Sequence, residues 1–483
     1  MTPFLAIVKL TCKSAIRSNI FRLLLFLLVL SVILVPNTIE GDGTAQGFIQ
    51  LILQYSLGFV ACILSVSAIW ISCSELCSDV ETGQLHMIVV KPVSRITVLF
   101  GKYCGVLLIH GVLLLISAIV VYGFVMLQYS RQDFTDEQRE KLNTEVFAGR
   151  RVYKPKQPDM VVEVQKEIDR RIKEAEINGR PVPKELLDGT QRRWLHDSIR
   201  KELMEKRGDV PVEGEIFWEY EGLPESVDDV VYLRFKVFPD TSSPLKEMTT
   251  RGKFLGRVMI PQYAPGTSAD GEREIKGYIE QIMSTSDHPE EFVTSTYNEL
   301  MLFGEYLVHK GTAKIGFINY DPTGVNLKFQ SVDGPFLLIR ESGFFSNYLR
   351  AVLVMFLQIA VLALISVSLA AFLSLPTAVF LSISYVLICF FTTYLLQSTY
   401  GAYSITMYEG VHMISAGTTK TMEFLLIPLQ DFFVTNRLAS GELIEMSYIL
   451  KLLFFSILLR GCPFLLLGAY LYRRRELALT MKQ

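Results

Sequence analysis

Glu75 and Asp79 stand four residues apart at the polar end of a long apolar run, and Glu81 follows them. That spacing puts the first two carboxylates on one face of a helix. Thr82-Gly83 come next, then an apolar strip of Leu85, Met87, Ile88 and Val89, then Lys91-Pro92-Val93-Ser94-Arg95, with Gly101-Lys102 at the mouth of the next apolar run. Carboxylates beside an apolar ridge suit a helix that seats in a groove of another protein with basic residues at its rim. Gly83 and Pro92 would set the ends of such a surface helix, one by backbone freedom and the other by its missing N–H. The plainer reading is an interfacial loop whose charges face water. Cys73 and Cys77 share a helical face with His86 nearby, but a closed metal site wants a fourth ligand, so small side chains packed at a boundary explain them better and no metal is expected. Arg460, beside Gly461, Cys462 and Pro463, and His110 both fall inside apolar runs. A charge there is expensive in a bilayer and points toward protein or a water-filled cavity. Arg460 either meets an anionic group or ion partner along an intramembrane path, or snorkels where Pro463 bends its helix. His110 reads as a packed, hydrogen-bonded residue rather than a proton relay.

The elements that must hold these residues are apolar helices. Half of the 483 residues are hydrophobic and one fifth are charged, but the average conceals two populations, with apolar runs at both ends and a charged stretch between. Six runs approach the roughly 20 residues a bilayer core requires: 19–35, 48–71, 103–127, 349–373, 377–397 and 448–471. Residues 1–18 carry Lys9, Lys13 and Arg17 on an otherwise apolar helix, which suits one lying at the interface rather than a cleaved signal. Lys9, Lys13 and Arg17, then Lys91, Arg95 and Lys102, then Arg473-Arg474-Arg475 and Lys482 fall on one face after six crossings, and positive charge makes that face the cytoplasm. Both termini would then be cytoplasmic and the middle of the chain extracytoplasmic. The net charge of −2 and the interleaved Asp and Glu of the basic stretches argue against nucleic-acid binding.

Three parts follow: 1–127 as an N-terminal membrane part with a cytoplasmic helix at about 74–92, 128–345 as an extracytoplasmic domain, and 346–483 as a C-terminal membrane part with a re-entrant elbow at about 420–436. In the middle part, 160–178 and 183–207 fit the helical period. From 213 the pattern changes to short β-like runs at 215–220, 230–237, 253–260, 305–309, 313–319, 325–330 and 336–339, with turn signals between them. Helical insertions are expected near 275–283 and 289–302. The domain reads as α+β and β-sandwich-like. All seven cysteines lie in or beside the apolar ends, so the middle relies on its own core.

The pattern Glu81-x-Gly83, Lys91-Pro92-x-Ser94-Arg95 and Gly101-Lys102 resembles the first cytoplasmic loop of ABC-2-type transporter permeases, and the charged finish at Leu471-Tyr472-Arg473-Arg474-Arg475 resembles the end of that family's last span. The resemblance implies a polytopic α-helical fold of the type V exporter kind and a permease homodimer above two copies of a separate ABC ATPase. It also implies that Glu75, Asp79, Glu81, Gly83, Leu85, Pro92 and Arg95 couple the permease to that ATPase. No phosphate-binding G-x-x-x-x-G-K-[ST] occurs here: at 266–271 the glycine spacing is present, but Glu272 stands where lysine belongs. ATP and Mg would therefore be held by the partner, and the chain would not be an enzyme by itself. Two other readings stand beside export or extraction of a substrate. One is a mechanical transmitter acting through the outer domain; the other is a membrane-anchored interaction module working without transport.

Overall fold

The first helix, α1 (Pro3–Arg17), buries Ile7, Val8, Thr11 and Ala15 on one side and leaves Lys9, Lys13 and Arg17 exposed on the other. It is joined through Ser18 to α2 (Asn19–Thr38) with a bend of 71°. The long helices α3 (Ala45–Glu81) and α4 (Arg95–Arg131) follow. The computed structural model describes residues 3–38, 44–81, 93–157, 160–177, 196, 198–200, 202–203, 208–227, 230–239, 253–263, 275–279, 291–322, 325–330, 333–402 and 426–474. The chain divides into two units, Met1–Gly149 with Ser342–Gln483, and Arg150–Glu341.

α1 lies close on α4 because α4 carries glycine at 101 and 105. A Cβ at Gly101 would come within 2.8 Å of Ile7, and one at Gly105 within 2.7 Å of Thr11. Two glycines four apart clear a shallow track on one helix face, as at close helix crossings in membranes. Ser94 caps α4 by accepting the Thr97 N–H at 3.1 Å.

In the second unit the chain runs through β1 (Ala148–Tyr153), α5 (Met160–Ile177), β2 (Asp209–Val210), β3 (Glu215–Glu221), β4 (Val230–Pro239), β5 (Lys253–Tyr263), β6 (Ile275–Ile279), β7 (Glu291–Val293), β8 (Tyr297–Phe303), β9 (Thr312–Asn319), β10 (Leu327–Phe329) and β11 (Phe336–Gly343). One sheet has the order β1-β11-β4-β10-β2 with β8 also on β4; the other has β3-β9-β5-β6 with β7 also on β5. Val231, Leu233, Phe235 and Val237 of β4 share a core with Ala313, Ile315 and Phe317 of β9 and with Phe254, Val258 and Ile260 of β5. The residues that β4 gives to this core alternate along the strand, as expected where two sheets cover one core, although Tyr232 and Arg234 on its other face are buried as well. The helical expectation for 275–283 and 289–302 is overturned: β6, β7 and β8 occupy the described residues there. Their apolar residues satisfy either period over so short a run, and pairing with β4 and β5 decides it. Conversely, 305–309, read as a strand, forms a single helical turn at Gly304–Leu307. α5 bears out the helix at 160–178 to within a residue, while most of 183–207 lies outside the described residues.

The first unit resumes with α6 (Phe344–Ala370), α7 (Leu375–Ala402) and a last span, α8 (Met446–Arg474). α6 is the central helix, with 83% of its most apolar window buried. The hydropathy pattern predicts six spans. Among the described residues four helices are long and apolar enough to cross by themselves (α3, α4, α6 and α8), and α1 with α2 makes a fifth only as one bent pair. The apolar described part of α7, Leu375–Phe391, falls short of the length. Between α7 and α8, where the sequence predicts an elbow, the described residues form a 3-10 turn at Leu429–Phe432 and a short helix at Thr435–Ala439, and residues 420–425 lie outside the described ones. Asn347 of α6 anchors the chain beyond it, donating to the Glu442 carbonyl and accepting from the Ile444 N–H, each at 2.8 Å.

Candidate functional site

α3 does not end where the apolar run ends. It continues as helix to Glu81, so residues 74–81 belong to the spanning helix rather than to a separate surface helix. Glu75 and Asp79 therefore lie on the face packed against α4, and both are buried. The reading that offers them to a partner is corrected here: both carboxylates turn inward onto Lys102 of α4, itself only 3% exposed. The Lys102 ammonium sits 2.5 Å from Asp79 Oδ2 and 3.6 Å from Glu75 Oε2, and donates to the Glu75 carbonyl at 2.6 Å. The Ser14 hydroxyl of α1 meets the Glu75 carboxylate from a third helix. Buried charge is tolerated where it is paired, and here Lys102 supplies the counter-charge to both carboxylates, meeting Asp79 as an ion pair without a regular hydrogen bond. Sequence reasoning placed Lys102 in the loop motif but not as the partner of these carboxylates. The available signal was a lysine between two glycines on an apolar helix, facing carboxylates spaced one turn apart.

Cys73 and Cys77, on another face of α3, are buried against α6 and α7, with Cys73 Sγ 3.7 Å from the Ser366 carbonyl and Cys77 Sγ 3.7 Å from that of Leu373. Among the described residues no group of three or more His, Cys, Asp or Glu is placed to hold a metal.

Arg95, at the other root of the loop, donates from Nη1 to the carbonyls of Tyr472 and Arg473, each at 3.1 Å. The last carbonyls of a helix have no intrahelical partners, and a guanidinium there also complements the negative end of its dipole. Arg95 thus ties the start of α4 to the end of α8. The side chain of Glu81, together with Gly83, Leu85 and Pro92, lies outside the described residues.

The two intramembrane residues are not brought together into one site. His110 is fully buried between α3 and α4, with Nδ1 2.8 Å from the Val106 carbonyl and Nε2 3.1 Å from the Ser67 hydroxyl. Arg460 lies halfway along α8, in a π-helical stretch, Leu452–Gly461. Pro463 has no N–H to return to the preceding turn, and the Cys462 N–H bonds to the Ile457 carbonyl, five residues back.

Residues 5–137 match the family model described as ABC-2 family transporter protein. They form an ABC-2 transporter membrane domain. The match runs from α1 through α4 and so contains Ser14, Glu75, Asp79, Arg95, Lys102 and the whole loop between α3 and α4. No curated protein and no solved structure matches the chain. The apolar helices and this match together point to a multi-pass membrane protein.

Proposed function

We propose that this chain is the permease subunit of an ATP-driven ABC-2 transporter, exporting or extracting a substrate across the cytoplasmic membrane, and that a separate ABC ATPase drives it through the loop at 82–92. The observation that carries this reading is the buried Lys102 cluster. It locks together the two helices on either side of the loop, within the segment that matches the family. A push on a loop with free ends is absorbed by the loop. A push on a loop whose roots are clasped moves the helices that carry it.

The coupling residues then divide their work. Glu75, Asp79 and Arg95 brace the roots, through Lys102 and through the end of α8. Glu81, Gly83, Leu85 and Pro92 form the face presented to the ATPase. ATP and Mg are bound by the partner, whose closure on ATP presses that face and carries α3 and α4, with α1, as a body. Two permease copies stand above two ATPase copies, both termini lie in the cytoplasm, and the β-rich unit stands outside. There it receives substrate or docks an envelope partner.

Purification of the chain from its native membrane in mild detergent tests the reading. A stoichiometric ATPase carrying a phosphate-binding loop should co-purify, and Glu81→Arg should release it. Purification without an ATPase under conditions that keep the chain folded would overturn the proposal.

A further inference from the structure

Arg460 carries a charge into the middle of an apolar helix, where it is costly in a bilayer. It sits at the middle of α8 with its Nε buried and without a hydrogen-bond partner. Among the described residues no carboxylate forms an ion pair with it. Phe464, one turn on, packs edge-on against Tyr385 of α7 with ring centroids 5.6 Å apart, which turns this face of α8 toward α7. Tyr385 and Cys389 of α7 and Asp431 of the elbow all lie within the electrostatic reach of the guanidinium. The Tyr385 hydroxyl is fixed by accepting the Ile427 N–H at 3.3 Å. A guanidinium at this depth is retained only where something satisfies it, and its planar fork of donors matches the paired oxygens of a phosphate or a carboxylate.

We infer that Arg460 is the anchor of an anion-binding site between α7, the elbow and α8, taking the phosphate or carboxylate head of an amphiphile. The π-helical turn supports this placement, since such turns re-aim side chains and leave carbonyls off the regular ladder. Asp431 lies within the electrostatic reach of the same guanidinium, so it competes with the ligand. Binding itself needs no ATPase; only the further step, that this ligand is the transported substrate, rests on the permease reading.

The test is native mass spectrometry of the purified full chain in a neutral maltoside detergent. Phosphatidylglycerol and phosphatidylcholine are offered in competition, and dodecyl phosphate in a parallel titration. The wild-type chain should hold an anionic probe at least tenfold more tightly than Arg460→Gln does. Arg460→Lys should keep most of that preference, and Asp431→Asn should strengthen it. Preference for phosphatidylglycerol assigns the site to a lipid headgroup; binding of dodecyl phosphate alone assigns it to a non-lipid anion. Because Nε lacks a hydrogen-bond partner and no described carboxylate forms an ion pair with the guanidinium, Arg460→Gln should leave the thermal midpoint unchanged or raise it. Equal binding of every probe by wild type and Arg460→Gln would overturn the inference, as would a lower midpoint in that variant, which would mean the fold itself satisfies the charge. Either failure leaves ATPase co-purification untouched, so the two readings fall separately.

Discussion

Lys102 holds two buried carboxylates, so removing it leaves both without a counter-charge. Lys102→Met should destabilise the membrane unit by about 3–5 kcal/mol, the range found when one partner of a buried pair is deleted. Adding Glu75→Gln and Asp79→Asn to that variant should recover much of the loss, because neutral groups cost less to bury. Thermal unfolding of the detergent-solubilised chain measures both. A second buried charge cluster lies in the β-rich unit, where Glu299 of β8 lies in register with Arg234 of β4 and pairs with it, and also pairs with the fully buried Arg150 at 3.0 Å. Burial pushes the Glu299 carboxyl up, but the Arg150 and Arg234 guanidiniums outweigh it and hold the group below the usual carboxylate range. A depressed carboxylate stabilises the fold above its unfolded value of about 4.3 and loses that contribution as pH falls through the folded value. Glu299→Gln should therefore lower the unfolding midpoint at pH 7. The gap from wild type should narrow once the pH drops below about 4, and a gap that stayed constant would contradict the pairing.

At the scale of elements, the decisive contact is α1 on the glycine track of α4. Gly105→Leu places a branched side chain where Thr11 already stands, and overpacking of this kind costs about 1–3 kcal/mol. Cys12, whose Sγ lies 3.6 Å from the Gly105 carbonyl, reports on it: alkylation of Cys12 should be faster in Gly105→Leu than in wild type. The helix–strand reversals in the β-rich unit belong to this scale too. Residues 297–303 carry both a helical and a strand period on their own, and seven cross-strand pairs with β4 decide for the strand.

For the molecule as a whole, two units with separate cores predict two cooperative unfolding transitions in calorimetry of the purified chain. Acid should lower the transition of the β-rich unit through Glu299, and Lys102→Met should lower only that of the membrane unit. A single transition shifted by both changes would show that the units unfold together.

Sequence alone determined the properties that depend on neighbours along the chain. Hydropathy marked the apolar helices, the one-turn spacing of Glu75 and Asp79 put them on one face, and Glu272 stood after 266–271 where a phosphate-binding loop has lysine. The polar loop and its flanking residues carried the family resemblance, which the match over 5–137 supports. Tertiary structure decided what those residues touch. The carboxylates turn inward because α3 runs on as helix to Glu81 and meets a lysine 27 residues from Glu75. Arg95 caps the last turn of a helix by bonding a carbonyl 377 residues later in the chain. No local pattern encodes such pairings: each depends on burial, which follows from how the helices pack, and burial turns a solvated charge into one that must find its partner.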